Sequence, residues 1–304
     1  MRFAQVVTGL CLLVCAVTSP VVRSDAEINV VVSIKPLHAL VLGVMQGVAS
    51  PELLLDSTQS PHHASLRPSD MRMLSNAMLV FWAGPQLETY LPRVLRNLDS
   101  DTTVISLMDN PHLELLPQRG QHMHADERTE VTSERPADPH IWLSTRNADL
   151  MVDQIAQALI RLDPAHTPEY TRNTKHMHLQ IEKLRKQIAD KLKTRKAFIS
   201  YHDGYQYFEH EFNLHNAGII AQGDELQPSA HHIRELRQLM KQQAISCVVY
   251  DAPRRPAVIS TLLSGTSARA VELDSLGLQQ HQGSKAWFTL MRTLADNFSS
   301  CFAD

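Results

Sequence analysis

Residues 168–194 read PEYTRNTKHMHLQIEKLRKQIADKLKT. Within them Met177, Ile181, Leu184, Ile188 and Leu192 recur at spacings of three and four, which lays one apolar stripe along a helix. Lys183, Arg185, Lys186, Asp190 and Lys193 fall off that stripe, and Glu182 with Lys186 makes a favourable i,i+4 pair. The spacing predicts a helix of about 25 residues, near 38 Å long. It stands at the middle of the chain, where a connector between two lobes belongs. An ordinary long surface helix would carry the same stripe.

On either side, short β-like runs alternate with helical stretches. Ile28 to Ile34 (INVVVSI) is a continuous β-branched run. Met78 to Trp82, Thr103 to Leu107, His140 to Leu143, Ala197 to Tyr201, Ala217 to Ala221, Cys247 to Tyr250 and Ala270 to Leu273 are similar. Near-continuous apolar runs of this length suit strands buried on both faces, as in parallel sheets. Amphipathic stretches such as Ile233 to Gln243 lie between them. The alternation predicts α/β architecture with two open sheets. Asp109 to Asp138 differs: it carries Pro, Gly, Ser, Thr and many charges with no sustained period, and reads as a long loop. Loops of that length inside a compact domain are uncommon and are often functional or mobile.

The chain has 304 residues, 43% of them apolar and 20% charged, a composition that suits globular lobes and neither a disordered chain nor a membrane bundle. With histidines neutral the net charge is −3, so no strong basic field exists to hold nucleic acid or anionic lipid. At the N-terminus, Arg2 precedes an apolar run from Val6 through Val17, closed by Arg23-Ser24-Asp25. That run is too short to span a bilayer and reads as a secretory signal peptide, residues 1–26. A buried N-terminal helix would also fit the run, and Cys15 raises a lipoprotein reading that Val14 before it disfavours. Cleavage removes Cys11 and Cys15 and leaves Cys247 and Cys301. An even pair in an oxidising compartment suggests a disulfide; two buried free thiols are the alternative.

Sixteen histidines is many for this length, and their positions say more than their number. His202 directly follows the run Ala197 to Tyr201, and Asp274 directly follows Ala270 to Leu273. His62 and His63 lie in a Ser-Pro loop after Leu53 to Leu55, and His140 sits in Asp-Pro-His before Ile-Trp-Leu. Ligands in open α/β sheets gather outside the carboxyl ends of strands. Imidazoles and a carboxylate form a common Zn²⁺ shell. Each residue alone also fits a hydrogen-bonded polar group at a strand end, and no HxxxH or CxxC spacing ties them together.

Longer segments carry a resemblance. They are Ser60-Pro61-His62-His63-Ala64-Ser65-Leu66-Arg67-Pro68-Ser69-Asp70, Leu79-Val80-Phe81-Trp82-Ala83-Gly84-Pro85-Gln86-Leu87-Glu88 and Asp138-Pro139-His140-Ile141-Trp142-Leu143-Ser144. Tyr201-His202-Asp203-Gly204-Tyr205-Gln206-Tyr207-Phe208, Glu225-Leu226-Gln227-Pro228-Ser229 and Leu273-Asp274-Ser275-Leu276-Gly277 follow. In this order, and over nearly the whole mature chain, the sequence resembles the periplasmic solute-binding proteins of bacterial zinc-uptake ABC transporters, a cluster that includes manganese-binding relatives. The resemblance implies two α/β lobes joined by one long rigid helix, with the metal between them. The lobes would be residues 27–165, with 109–138 as a mobile loop, and 196–304, with the connecting helix at 166–195. It implies that His62, His140, His202 and Asp274 are the metal ligands and that Cys247 and Cys301 form a second-lobe disulfide. It further implies Zn²⁺ as cargo, a membrane permease with its ATPase as partner, a monomeric state and a periplasmic location.

Two departures stand in the first-lobe loop. Many relatives carry an acidic residue where this chain has Pro61, and His63 stands where they usually carry Asp or another residue. His63 reads as a neighbour of the shell or an exposed side chain, with an exchanging ligand as the alternative. Three imidazoles and one carboxylate suit Zn²⁺ better than Mn²⁺, which prefers more oxygen; manganese-type relatives typically have a carboxylate at the position of His202. A manganese-binding protein or adhesin of the same fold is the rival reading. A zinc hydrolase is a further one, disfavoured because four protein ligands leave no position for a catalytic water. There is no HExxH, GxSxG or phosphate-loop motif. In the long loop, His122 and His124 are candidates for an auxiliary zinc site, with a merely solvated loop as the alternative.

Overall fold

The computed structural model describes residues 28–55, 59–119, 135–221, 228–251 and 255–303. The leader at 1–26 and the histidines His122 and His124 lie outside the described residues. Among the described residues, no helix is long and apolar enough to cross a membrane.

The first lobe runs β1 (Val30–Val32), α1 (Lys35–Val44), β2 (Glu52–Leu53), α2 (Pro68–Ser75), β3 (Leu79–Trp82), α3 (Leu91–Leu95) and β4 (Thr103–Ser106). Then come a 3-10 turn at Ile141–Leu143, α4 (Thr145–Leu162) and the long helix α5 (Thr167–Lys191). The second lobe runs β5 (Phe198–Ser200), α6 (Gln206–Phe212), β6 (Asn216–Ile219), α7 (Ala230–Gln242), β7 (Cys247–Asp251), α8 (Ala257–Leu263), β8 (Arg269–Leu273) and α9 (Ala286–Phe302). The sheets have strand orders β2-β1-β3-β4 and β6-β5-β7-β8, and every pairing is parallel. The two lobes therefore repeat one topology, and in each the chain order reverses beside the first strand. A crevice opens at such a reversal, outside the carboxyl ends of the strands.

The apolar runs form strands because both sheet faces are covered: Val30, Val31, Val32, Leu79, Val80 and Phe81 are all buried. One run behaves otherwise. His140 to Leu143 reads as a strand but forms a 3-10 turn. The Asp138 carboxylate accepts the backbone N–H of His140 at 2.9 Å, a local bond that competes with a strand ladder. Ile141, Trp142 and Leu143 are fully buried in the core instead of in a sheet. The Ser144 hydroxyl then accepts the Asn147 N–H at 3.1 Å and caps α4.

Helix α5 fulfils its pattern. Met177, Ile181, Leu184, Ile188 and the capping residue Leu192 are all buried, each such side chain contributing about 2 kcal/mol. Glu182 and Lys186 pair at 3.1 Å on the exposed side. A Cβ on Gly43 of α1 would fall 2.6 Å from Met177 Sδ, so α1 and α5 approach as closely as they do because position 43 is glycine. The largest apolar cluster is continuous across the molecule, from Val30 and Leu40 through Leu159 and Ile181 to Trp287 and Phe298. The lobes thus share one core around α1, α4, α5 and α9. Cys247 and Cys301 form a disulfide with Cα atoms 5.6 Å apart, tying the start of β7 to the end of α9.

In the first-lobe crevice Glu88 is fully buried. It accepts hydrogen bonds from Ser33 Oγ at 2.5 Å, Gly84 N at 3.0 Å and Ala83 N at 3.3 Å. Burial pushes its carboxyl up to about 7, against the pull of those donors.

Candidate metal centre

His62 lies in the turn between β2 and α2, His140 heads the 3-10 turn before α4, and His202 occupies the bend between β5 and α6. The three residues thus come from three separate loops. The ring centroids are 5.5 Å apart for His62 and His140, 5.8 Å for His62 and His202, and 5.2 Å for His140 and His202. One ring nitrogen from each lies within 4.8 Å of the other two.

Nε2 of His140 lies 3.4 Å from Nε2 of His202. Two nitrogens each about 2.05 Å from a tetrahedral Zn²⁺ lie about 3.3 Å apart. The observed 3.4 Å is close to that spacing and also lies within hydrogen-bonding reach. The proton on His140 is placed accordingly: Nδ1 is 2.8 Å from Asp138 Oδ1, and the pair is buried. A carboxylate on Nδ1 holds the N–H there and leaves the Nε2 lone pair for a metal. Burial lowers the proton affinity of His140, but Asp138, with smaller contributions from Asp203 and Asp251, outweighs it and the pKa is raised. Trp142 packs edge-on to His140 at 5.4 Å and donates its Nε1–H to Ser275 O at 2.8 Å, so the turn that carries His140 is pinned to the second lobe.

Gly204 makes room for the centre. A Cβ there would meet His202 Cδ2 at 2.8 Å, His202 Nε2 at 3.1 Å and His140 Nε2 at 3.5 Å.

The structure brings together His62, His140 and His202 and does not add Asp274 to the group. Asp274 follows β8, where its Oδ1 accepts the Leu276 N–H and its Oδ2 the Gln279 N–H, both at 3.2 Å. Asp251, at the end of β7, accepts the Tyr205 hydroxyl at 2.5 Å. His63 is exposed, its ring 6.3 Å from that of His62. Sequence reasoning missed Asp138, Asp203, Asp251 and Gly204. Only Asp138 had a local signal, the Asp-Pro-His spacing that lets a carboxylate reach its own chain two residues on. Asp251 is brought near by the β5–β7 pairing, which a linear reading cannot see.

Comparison with known proteins gives the family and the fold. The family described as "Zinc-uptake complex component A periplasmic" (ZnuA) matches residues 30–301. The high-affinity zinc uptake system protein ZnuA of Brucella suis is 33% identical, the alignment covering 90% of this chain and 92% of the relative. Among solved structures, the SBP FpvC of Pseudomonas aeruginosa in complex with Mn²⁺ superposes with a TM-score of 0.78 at 17% identity, covering 91% of this chain and 99% of that one. The periplasmic zinc-binding protein TroA of Treponema pallidum gives 0.76 at 20% identity, covering 92% and 100%. These two share the fold of two parallel-sheet lobes and a long helix. On a match that spans nearly its whole length, the chain belongs to the ZnuA family of periplasmic zinc-uptake components.

Proposed function

We propose that this protein is an extracytoplasmic high-affinity zinc-binding protein that captures Zn²⁺ between its lobes and delivers it to the permease of an ABC transporter. The observation that carries the reading is the 3.4 Å approach of His140 Nε2 to His202 Nε2, with a His62 nitrogen alongside. Three neutral imidazoles are a borderline-soft shell suited to Zn²⁺. Asp274 is the fourth ligand in this reading, exchanging its two backbone N–H partners for the ion. With four protein ligands no position is left for a catalytic water, so the role is capture and transfer without catalysis. The lobes comprise residues 27–165 and 196–304 around the helix at 166–195, residues 1–26 direct the chain to the periplasm, and the mature protein acts as a monomer. His122 and His124 serve as an auxiliary, weaker zinc site, and His63 as a neighbour of the shell.

Native mass spectrometry with a panel of divalent metals, on wild type and His202→Ala, tests this. One zinc per chain in wild type, retained against Mn²⁺, and its loss in the variant are expected. Preferential retention of Mn²⁺ would turn the assignment to a manganese-binding protein of this fold. Full zinc retention by His202→Ala would remove the three-histidine centre.

A further inference from the structure

The base of the 109–138 segment is a built element. Its two ends pair: Pro117 bridges Ala137, the Gln118 N–H donates to Pro136 O at 2.9 Å, and the Asp138 N–H donates to Leu116 O at 2.8 Å. This short ladder docks on α6 of the second lobe. The Tyr207 hydroxyl accepts the Leu116 N–H at 3.2 Å and donates to Asp138 O at 2.8 Å, while Gln206 Nε2 donates to Pro117 O at 3.2 Å.

Arg119 closes the ladder. Its guanidinium lies between two carboxylates of the second lobe. Nε donates to Asp203 Oδ2 at 3.1 Å, Nη2 donates to Asp203 Oδ1, and Nη1 donates to Glu209 Oε2 at 2.6 Å. The contact is largely closed to solvent: the side chains are 15% exposed for Arg119, 21% for Asp203 and 5% for Glu209. A bidentate fork on a carboxylate fixes orientation as well as charge. Burial works against the charge of Arg119, but Glu209 and Asp203 outweigh it, so the guanidinium stays ionised.

The two ends of this device each touch a zinc-site histidine. Asp138 orients the His140 ring. Asp203 is the chain neighbour of His202. We propose that Arg119 is a positioning residue for the metal centre: lodged between Asp203 and Glu209, it locks the paired base of the 109–138 segment onto the second lobe and so holds His202 against His140. The proposal rests on the zinc-binding reading above. It makes the loop base part of the device that retains the ion, because the fork on Asp203 anchors the backbone from which the His202 side chain reaches His140.

The test measures zinc loss to an excess of chelator and the visible spectrum of the Co²⁺-loaded protein, on wild type, Arg119→Gln, Arg119→Lys and Asp203→Asn. Arg119→Gln and Asp203→Asn should each speed zinc dissociation at least tenfold and alter the Co²⁺ ligand-field bands, with the double variant no faster than either. Arg119→Lys, which keeps the charge but loses the fork, should fall between. A spectrum like wild type and dissociation within twofold in Asp203→Asn would overturn the proposal. That variant leaves Arg119 its Glu209 partner, so it carries the test even if Arg119→Gln fails to fold. A wild type that takes up neither Zn²⁺ nor Co²⁺ would defeat the zinc-binding reading instead.

Discussion

His140 Nδ1 lies 2.8 Å from Asp138 Oδ1, and the same oxygen accepts the His140 backbone N–H at 2.9 Å. One carboxylate thus fixes both the tautomer and the rotation of the ring, and Nε2 is left to face His202. Losing such an outer partner typically costs 10–100-fold in metal affinity. Asp138→Ala should weaken zinc binding by about that factor in a chelator-competition titration. An affinity equal to wild type would mean that packing against Trp142 alone orients the ring.

Zinc affinity should fall as the pH is lowered from 8 to 5. Each imidazole must be neutral to bind, so protons compete with the metal. The competition sets in at higher pH for His140 than for an ordinary histidine, because Asp138 raises its pKa despite burial. Calorimetric titrations at several pH values measure this. A flat profile over that range would contradict a centre of three histidines.

Gly204→Ala should damage the site and spare the fold. The added Cβ would press within 2.8 Å of the His202 ring, which can give way by rotating at little cost to the core. The rotation breaks the 3.4 Å approach to His140. At least a tenfold loss of zinc affinity is expected, while thermal unfolding of the metal-free protein stays close to wild type. A large drop in metal-free stability with unchanged affinity would place the strain elsewhere.

Glu88 should make stability depend on pH in a predictable direction. Its folded-state pKa, raised to about 7, lies above the ordinary 4.5, so the folded protein holds this proton more tightly than the unfolded chain does. The advantage is present at low pH and is lost as the pH rises through 7. The full swing is about 3 kcal/mol at 1.36 kcal/mol per pKa unit. Glu88→Gln removes the titration, so its stability relative to wild type should improve between pH 5 and pH 8. Urea unfolding at the two pH values measures it, and parallel shifts in both proteins would show that Glu88 does not titrate in this range.

Much of the fold is legible in the chain because burial writes periodicities into sequence. Strands covered on both faces read as continuous apolar runs, as β1, β3 and β5 do, and the partly exposed β4, β6, β7 and β8 also fall within or overlap such runs. The stripe of Met177, Ile181, Leu184 and Ile188 marks α5 for the same reason. The exception, His140 to Leu143, is instructive. Its residues are as buried as those of a strand, but a single carboxylate at Asp138 bends the backbone before a ladder can form. Periodicity records burial, and it does not record which backbone partner is used.

The histidines divide along the same line. Sequence by itself determined two α/β sheets and a central helix, and the motif resemblance picked three histidines out of sixteen. Only tertiary structure decided that those three meet: His62 and His140 are 78 positions apart and His140 and His202 are 62, and no local rule carries a side chain across such a span. The meeting follows from two sheets of one topology packed on a shared core. Tertiary structure also set Asp138 behind His140, Gly204 beneath His202 and Arg119 across the lobes, and it left Asp274 hydrogen-bonded to its own loop. These are relations of distance and direction, and they come into being only when the shared core closes.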